Sequence, residues 1–201
     1  MVIDPIYLIM IAPALLLSLV AQLLVKSAYS RYSKVPASNG MTGAQIARRI
    51  LDAEGVPGVT IEMVRGRLTD HYDPSKKVLR LSEGVYSSNS VAAAGIAAHE
   101  VGHAIQHARS YAPLVLRTTL VPVARLGSNL SWILIMIGFL ASMTQLVWAG
   151  IVLFGAAVLF TLVTLPVEFN ASSRAKEALP RLGLVAVRDT AGVNSVLNAA
   201  A

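Results

Sequence analysis

Two long apolar segments limit what this chain can fold into more than any other feature. Ile6 to Val25 is a run of 20 residues whose only polar members are Ser18 and Gln22. At about 1.5 Å of rise per residue, a helix of that length covers a hydrocarbon core of about 30 Å. Trp132 to Leu165 adds 34 residues, interrupted only by Ser142, Thr144, Gln145 and the isolated Thr161 and Thr164. One helix of that length would reach about 51 Å, well past a bilayer. The block therefore predicts a helical hairpin turning at Ser142 to Gln145, with a first arm that must begin near Leu126 to be long enough. Trp132 and Trp148 then fall near helix ends, where indoles favour the membrane interface. Composition agrees: 55% hydrophobic and 14% charged residues exclude an ordinary soluble domain.

The first run reads as an uncleaved anchor and not a signal peptide. No basic residue precedes it, Asp4 stands there instead, and the run is longer than a signal h-region. Of the 17 Lys and Arg, 13 lie between residues 26 and 130, among them Lys26, Arg31 and Lys34 after the first run and Arg117 and Arg125 before the hairpin. By the positive-inside rule that segment faces the cytosol. The net charge of +6 is then a topology signal, and no aromatic-basic interleaving points to nucleic acid. With no cysteine in the chain, a metal site has only His and carboxylate to use.

His99-Glu100-Val101-Gly102-His103 carries the chemistry. Residues four apart share one face of a helix, so both imidazoles can reach one tetrahedral metal, and Glu100 stands where a zinc peptidase keeps its general base. With four His and six Glu, a chance match is expected on the order of once in five hundred such sequences. Ser88, Asn89 and Ser90 offer N-cap oxygens, and the run Val91 to Ala98 is alanine-rich, giving a thin helix that can be buried. His107 continues the register, but two turns rise about 12 Å, too far for one straight helix to supply three ligands. It is expected beside the site or at the surface.

Between the runs, Thr42 and Gln45 form a capping box, Ile46, Ile50 and Leu51 an apolar stripe, and Gly55 a helix stop. Val59 to Val64 and Val78 to Ser82 read as strands of a small sheet, with Asp70-His71-Tyr72-Asp73-Pro74 as turn chemistry between them. Val78 to Ser82 is the expected strand edge for a substrate backbone, weighed against an ordinary sheet strand. After the hairpin, Pro166 is expected to break the span and Glu168 to open an amphipathic surface helix. A hairpin returns Glu168 to the side of His99 and His103. Glu177 and Asp189 share that side, the first placed to pair with Arg174 or Arg181, the second to cap a helix starting near Thr190.

The segments Thr42-Gly43-Ala44, Leu68 to Pro74, Ala98 to Gln106, and Leu165-Pro166-Val167-Glu168-Phe169-Asn170-Ala171-Ser172 together closely resemble the YugP-type neutral zinc metallopeptidases of bacterial membranes. The resemblance spans almost the whole chain and looks toward the HtpX and CAAX-prenyl-protease group. It implies a gluzincin-like core on transmembrane helices, mainly α with a small β-sheet, in which zinc is held by His99, His103 and Glu168. Where that wider group often has an aspartate four residues after the ligand glutamate, this chain has Ser172, so Asn170, Ser172 or Ser173 must orient the ligands. It also implies a further C-terminal span beyond Ala201.

The expected organisation is an anchor at 1–25, a cytosolic zinc peptidase domain at 26–130, a transmembrane hairpin at 131–165, and a return helix with the third ligand at 166–201. The expected activity is endopeptidase hydrolysis of peptide or membrane-protein substrates at a bacterial cytoplasmic membrane, with Glu100 as base and the site facing the cytosol. His71 is the first choice for stabilising the oxyanion, ahead of Tyr72 and Arg174, against a turn histidine bonded to Asp73 or the backbone. The rival is a latent or non-catalytic zinc-binding scaffold that works through a regulatory membrane partner.

Overall fold

A computed structural model describes residues 5–201, with side chains from residue 12 onward, so Asp4 lies outside the described residues. The order is α1 (Pro5–Tyr32), α2 (Gly43–Ala53), β1 (Thr60–Val64), β2 (His71–Asp73), β3 (Val78–Ser82), α3 (Glu83–Tyr86), α4 (Val91–Ala108), α5 (Ala112–Leu140), α6 (Thr144–Arg181) and α7 (Val187–Ala200). The protein is mainly helical with one mixed three-stranded sheet. It divides into two units, 1–104 with 172–201, and 105–171; the division falls inside α4 and α6.

In the first unit, local signals in the sequence set the helix ends. The Gln45 amide donates to the Thr42 hydroxyl (3.3 Å) and the Thr42 amide to the Gln45 side chain (2.9 Å), the reciprocal capping box. Gly55 follows α2 at φ +71°, where a side chain would be strained. Ser90 caps α4 by accepting the Ala93 amide at 3.2 Å. Ile46, Ile50, Leu51, Leu79, Leu81, Val85, Val91, Val101, Leu179 and Leu197 form the core at 0–1% exposure. Each such side chain contributes about 1.5–3 kcal/mol relative to exposure. The alanines of α4 let neighbours come close, and a Cβ on Gly95 would already touch Val196 at 3.4 Å.

The sheet order is β1-β3-β2, with β1 parallel and β2 antiparallel to β3. This corrects two expectations. His71–Asp73 is a strand, not part of a turn, and the turn follows at 74–77. There the Asp73 carboxylate accepts from the Ser75 hydroxyl (2.6 Å) and from the Ser75 and Lys76 amides (3.0 and 3.2 Å). Val78–Ser82 is the central strand, paired with β1 along its length and with β2 at Val78, Leu79 and Arg80, so it is not the expected sheet edge; the edge strands are β1 and β2.

The second unit is a helical hairpin of α5 and α6 turning at residues 141–143, with Ser142 in the left-handed region at φ +56°. Small residues make the close approach possible. A Cβ on Gly127 would fall 2.9 Å from the Leu153 carbonyl oxygen, one on Gly138 2.8 Å from the Val147 nitrogen, and one on Gly150 2.8 Å from the Ser131 carbonyl oxygen. The first arm begins at Ala112, well before Leu126. The expected break at Pro166 is also corrected: α6 continues through it to Arg181, and Glu168 lies inside the helix. A proline removes one intrahelical bond, which long apolar helices packed on a neighbour tolerate.

Ala12–Tyr32, Ala112–Leu140 and Thr144–Arg181 are long and apolar enough to cross a membrane. Their outward faces are apolar, with Leu17 72%, Phe139 78% and Val152 72% exposed.

Candidate metal centre

The histidines are placed by α4. His99 and His103 are one turn apart, 6% and 8% exposed, with rings edge to face and centroids 4.9 Å apart. Glu168 comes from α6. The candidate ligand atoms of His99, His103 and Glu168 all lie within 4.8 Å of one another, a group that can hold a metal ion. A tetrahedral ion with bonds of about 2.0–2.2 Å spaces its ligands about 3.4 Å apart, so small side-chain movements close this set around zinc.

Hydrogen bonding fixes the histidine for that role. The Ser172 hydroxyl donates to the Leu197 carbonyl at 3.2 Å, which uses its one proton. Its 2.9 Å contact with Nδ1 of His99 is then a bond it accepts, so Nδ1 carries the hydrogen and Nε2 keeps a lone pair for the metal. Of the three residues expected to orient the ligands, Ser172 is hydrogen-bonded to the His99 ring. Gln106, fully buried, donates to the Val167 carbonyl (2.8 Å) and to Oδ1 of Asn170 (3.0 Å), tying α4 to α6. Ser173 is exposed.

A cavity of about 250 Å³ opens beside His99 and Glu100, lined also by Val25, Tyr29, Leu68, Asp70, Ile96, Val196, Leu197 and Ala200. Glu100 is half-buried on its wall. His71 is exposed and is not among the lining residues; its Nδ1 bonds the Thr69 carbonyl at 2.8 Å and its Nε2 lies 3.5 Å from Arg80. Tyr72 keeps its phenolic proton more firmly than usual, because burial and then the Asp73 charge raise its pKa. Asp73 is held at about 2 by the Ser75 hydroxyl, with the Lys76 amide and Arg80 together outweighing desolvation. His107 is half-buried and stands outside the ligand group.

The other carboxylates on this stretch have different work. Arg181 pairs with Glu54, not with Glu177. Asp189 does not cap a helix at Thr190: α7 starts at Val187, and the Asp189 carboxylate accepts the Ser38 amide at 2.8 Å. Burial would raise its pKa, but the Ser38 hydroxyl and amide and the Arg188 charge bring it below the usual value. Sequence reasoning missed two residues. Gln106 gave no signal beyond its place in the helix register, and Arg117, read as a topology charge, has Nη2 3.8 Å from Oε1 of Glu168.

Over residues 7–201 the chain matches a family described as "Putative neutral zinc metallopeptidase". A Bacillus subtilis (strain 168) relative, "Putative membrane protease YugP", is 53% identical over 188 residues, covering 94% of this chain and 84% of the relative. No solved structure matches.

Proposed function

The chain belongs to the neutral zinc metallopeptidase family whose model it matches, and from that premise we propose that it is a membrane-integrated endopeptidase of the gluzincin type. The observation that carries the reading is the convergence of His99, His103 and Glu168 ligand atoms within 4.8 Å, beside a cavity walled by Glu100. Zinc held by these three residues supplies a Lewis acid that polarises the scissile carbonyl and makes water more acidic.

The remaining work falls to the chain. Glu100 removes a proton from the attacking water and returns it to the departing amine, so the carboxylate is regenerated at each turnover. Ser172 keeps His99 in the tautomer a ligand requires. Helices α1, α5 and α6 integrate the protein in a bacterial cytoplasmic membrane, as their length and apolar faces support, and the Lys and Arg between residues 26 and 130 support a cytosolic site. Relatedness to the HtpX and CAAX-prenyl-protease group is part of the same proposal, supported by a glutamate ligand on a later helix.

Glu100→Gln tests it. Hydrolysis should fall by at least about a hundredfold, the scale of general acid-base assistance, while bound zinc stays near one per chain. Parallel metal analysis and peptide assay decide the matter. Joint loss of zinc and activity would make Glu100 a ligand or folding residue and remove the mechanism.

A further inference from the structure

Within the first unit, α1 and α7 enclose a groove of about 470 Å³, inside the range of about 300–1,000 Å³ that holds small ligands. Each helix lines it with one face: Leu24, Ser27 and Arg31 from α1, and Asn194, Ser195 and Asn198 from α7. Gly192 lets the two helices meet, since a Cβ there would fall 2.8 Å from Cε1 of Tyr32. No carboxylate lines the groove. The Arg31 guanidinium lies 5.6 Å from the centroid of the Tyr32 ring and makes no ion pair among the described residues. A second cation stands at the rim, where Nζ of Lys176 donates to Oδ1 of Asn198 at 2.5 Å. The groove is therefore a set of hydrogen-bond donors between two positive charges, which suits a phosphate.

We propose that this groove binds the headgroup of an anionic phospholipid in the cytosolic leaflet, its phosphate between Arg31 and Lys176 and one acyl chain along the outer face of α1. The inference rests on the membrane-integrated reading and adds a partner. Depth carries it. Leu24 belongs to the apolar run that ends at Val25, and Ser27 and Arg31 stand about 4.5 and 10.5 Å further along the axis. The headgroup layer of one leaflet is about 5–8 Å deep, so the donors of the groove occupy the level of the phosphates, with the Arg31 side chain reaching inward from its edge. Toward the hydrocarbon, Val20 and Leu17 continue the stripe of Leu24 at helical spacing, and all three are exposed. A soluble phosphate ester fills the polar end alone and leaves that stripe uncovered. A zwitterionic lipid brings the same phosphate, but its quaternary ammonium meets two cations and no carboxylate.

The test uses the full chain in phosphatidylcholine nanodiscs doped with phosphatidylglycerol. Native mass spectrometry counts the phosphatidylglycerol retained by wild type, Arg31→Gln, Arg31→Lys and Lys34→Gln, the last an equal loss of charge at an exposed residue outside the groove. A diffuse basic surface loses about fivefold for either residue. A phosphate site should lose about tenfold or more in Arg31→Gln and keep most of its affinity in Arg31→Lys. Equal losses in Arg31→Gln and Lys34→Gln overturn the site. On wild type, phosphatidylglycerol with a diazirine near its glycerol should label Leu24, Ser27 or Ser195. Label confined to α5 and α6, or equal labelling by the phosphatidylcholine analogue, overturns it, and displacement by inorganic phosphate at equal concentration makes it a site for free anions instead. The membrane reading is scored separately by impermeant thiol labelling of Lys76→Cys and Lys176→Cys. Labels from one face with no groove-specific lipid overturn the lipid site alone; labels from opposite faces overturn both.

Discussion

Removing the hydroxyl of Ser172 should loosen the metal without removing a ligand. In Ser172→Ala the Nδ1 hydrogen of His99 loses its Ser172 acceptor in a place of little water access, since Ser172 is 1% and His99 6% exposed. The Leu197 carbonyl suffers less, because it also accepts the Ala201 amide at 3.1 Å. One buried donor left unsatisfied costs about 1–3 kcal/mol of stability. The imidazole also loses the tautomer and ring angle the metal needs, an effect worth about 10- to 100-fold in affinity, or about 1.4–2.7 kcal/mol. Competition against a fluorescent zinc chelator measures this, with exposed Ser173→Ala as the control. Nitrogen shifts of His99 in metal-free wild type should report the hydrogen on Nδ1. Equal chelator curves for the two variants, or a hydrogen on Nε2, would refute the hydrogen-bond chain drawn from Leu197 through Ser172 to His99.

Glu168→Ala should weaken zinc binding far more than Glu177→Ala or Asp189→Ala in the same titration; equal retention in all three would remove the third ligand. Lys76→Cys and Lys176→Cys should be labelled by a membrane-impermeant thiol reagent from the cytosolic side only, and labelling from opposite faces would break the proposed topology. His71→Ala should lower kcat with little change in zinc content if His71 assists the oxyanion, and an unchanged kcat would leave it the local partner of Thr69 and Arg80. Because the folded pKa of Asp73 is depressed to about 2, the turn it organises should be fully supported above about pH 4 and lose that support as pH falls toward 2. Amide exchange at Ser75 and Lys76 should accelerate over that window, and Asp73→Asn should flatten the dependence.

What the sequence revealed was whatever is governed by nearest neighbours along the chain. The Thr42 capping box, the Ser90 cap and the Gly55 stop are local hydrogen-bond and φ requirements, and each is found where its residues predict. The shared face of His99 and His103 follows from helical pitch alone. Errors arose where tertiary packing overrode a local signal. Pro166 is a helix breaker in water, yet α6 passes through it. Asp70 to Pro74 has turn composition, yet pairing with β3 draws three of its residues into a strand. Asp189 has the chemistry of a cap, but its partner is Ser38, 151 residues away, which no local pattern can announce. For Glu168 the hairpin argument and the other partners expected for Glu177 and Asp189 narrow the choice, and the ligand role itself comes from the family resemblance.

The unbroken course of α6 has a consequence for how this protein can vary. Gly150 is seated against Ser131 and Ile135 of α5, and Glu168 follows eighteen residues later on the same helix. Eighteen residues at about 3.6 per turn make five whole turns, so the carboxylate emerges on the same azimuth as the glycine, about 27 Å along the axis. The residues between them can be exchanged where they face outward, as Val152 and Leu159 do. Their number cannot change, because deleting or inserting one residue would rotate Glu168 by about 100° and displace it by about 1.5 Å. For an ordinary anchor the length of a span is adjustable to the bilayer; here the stretch is a ruler with a fixed count, read out at the candidate ligand group.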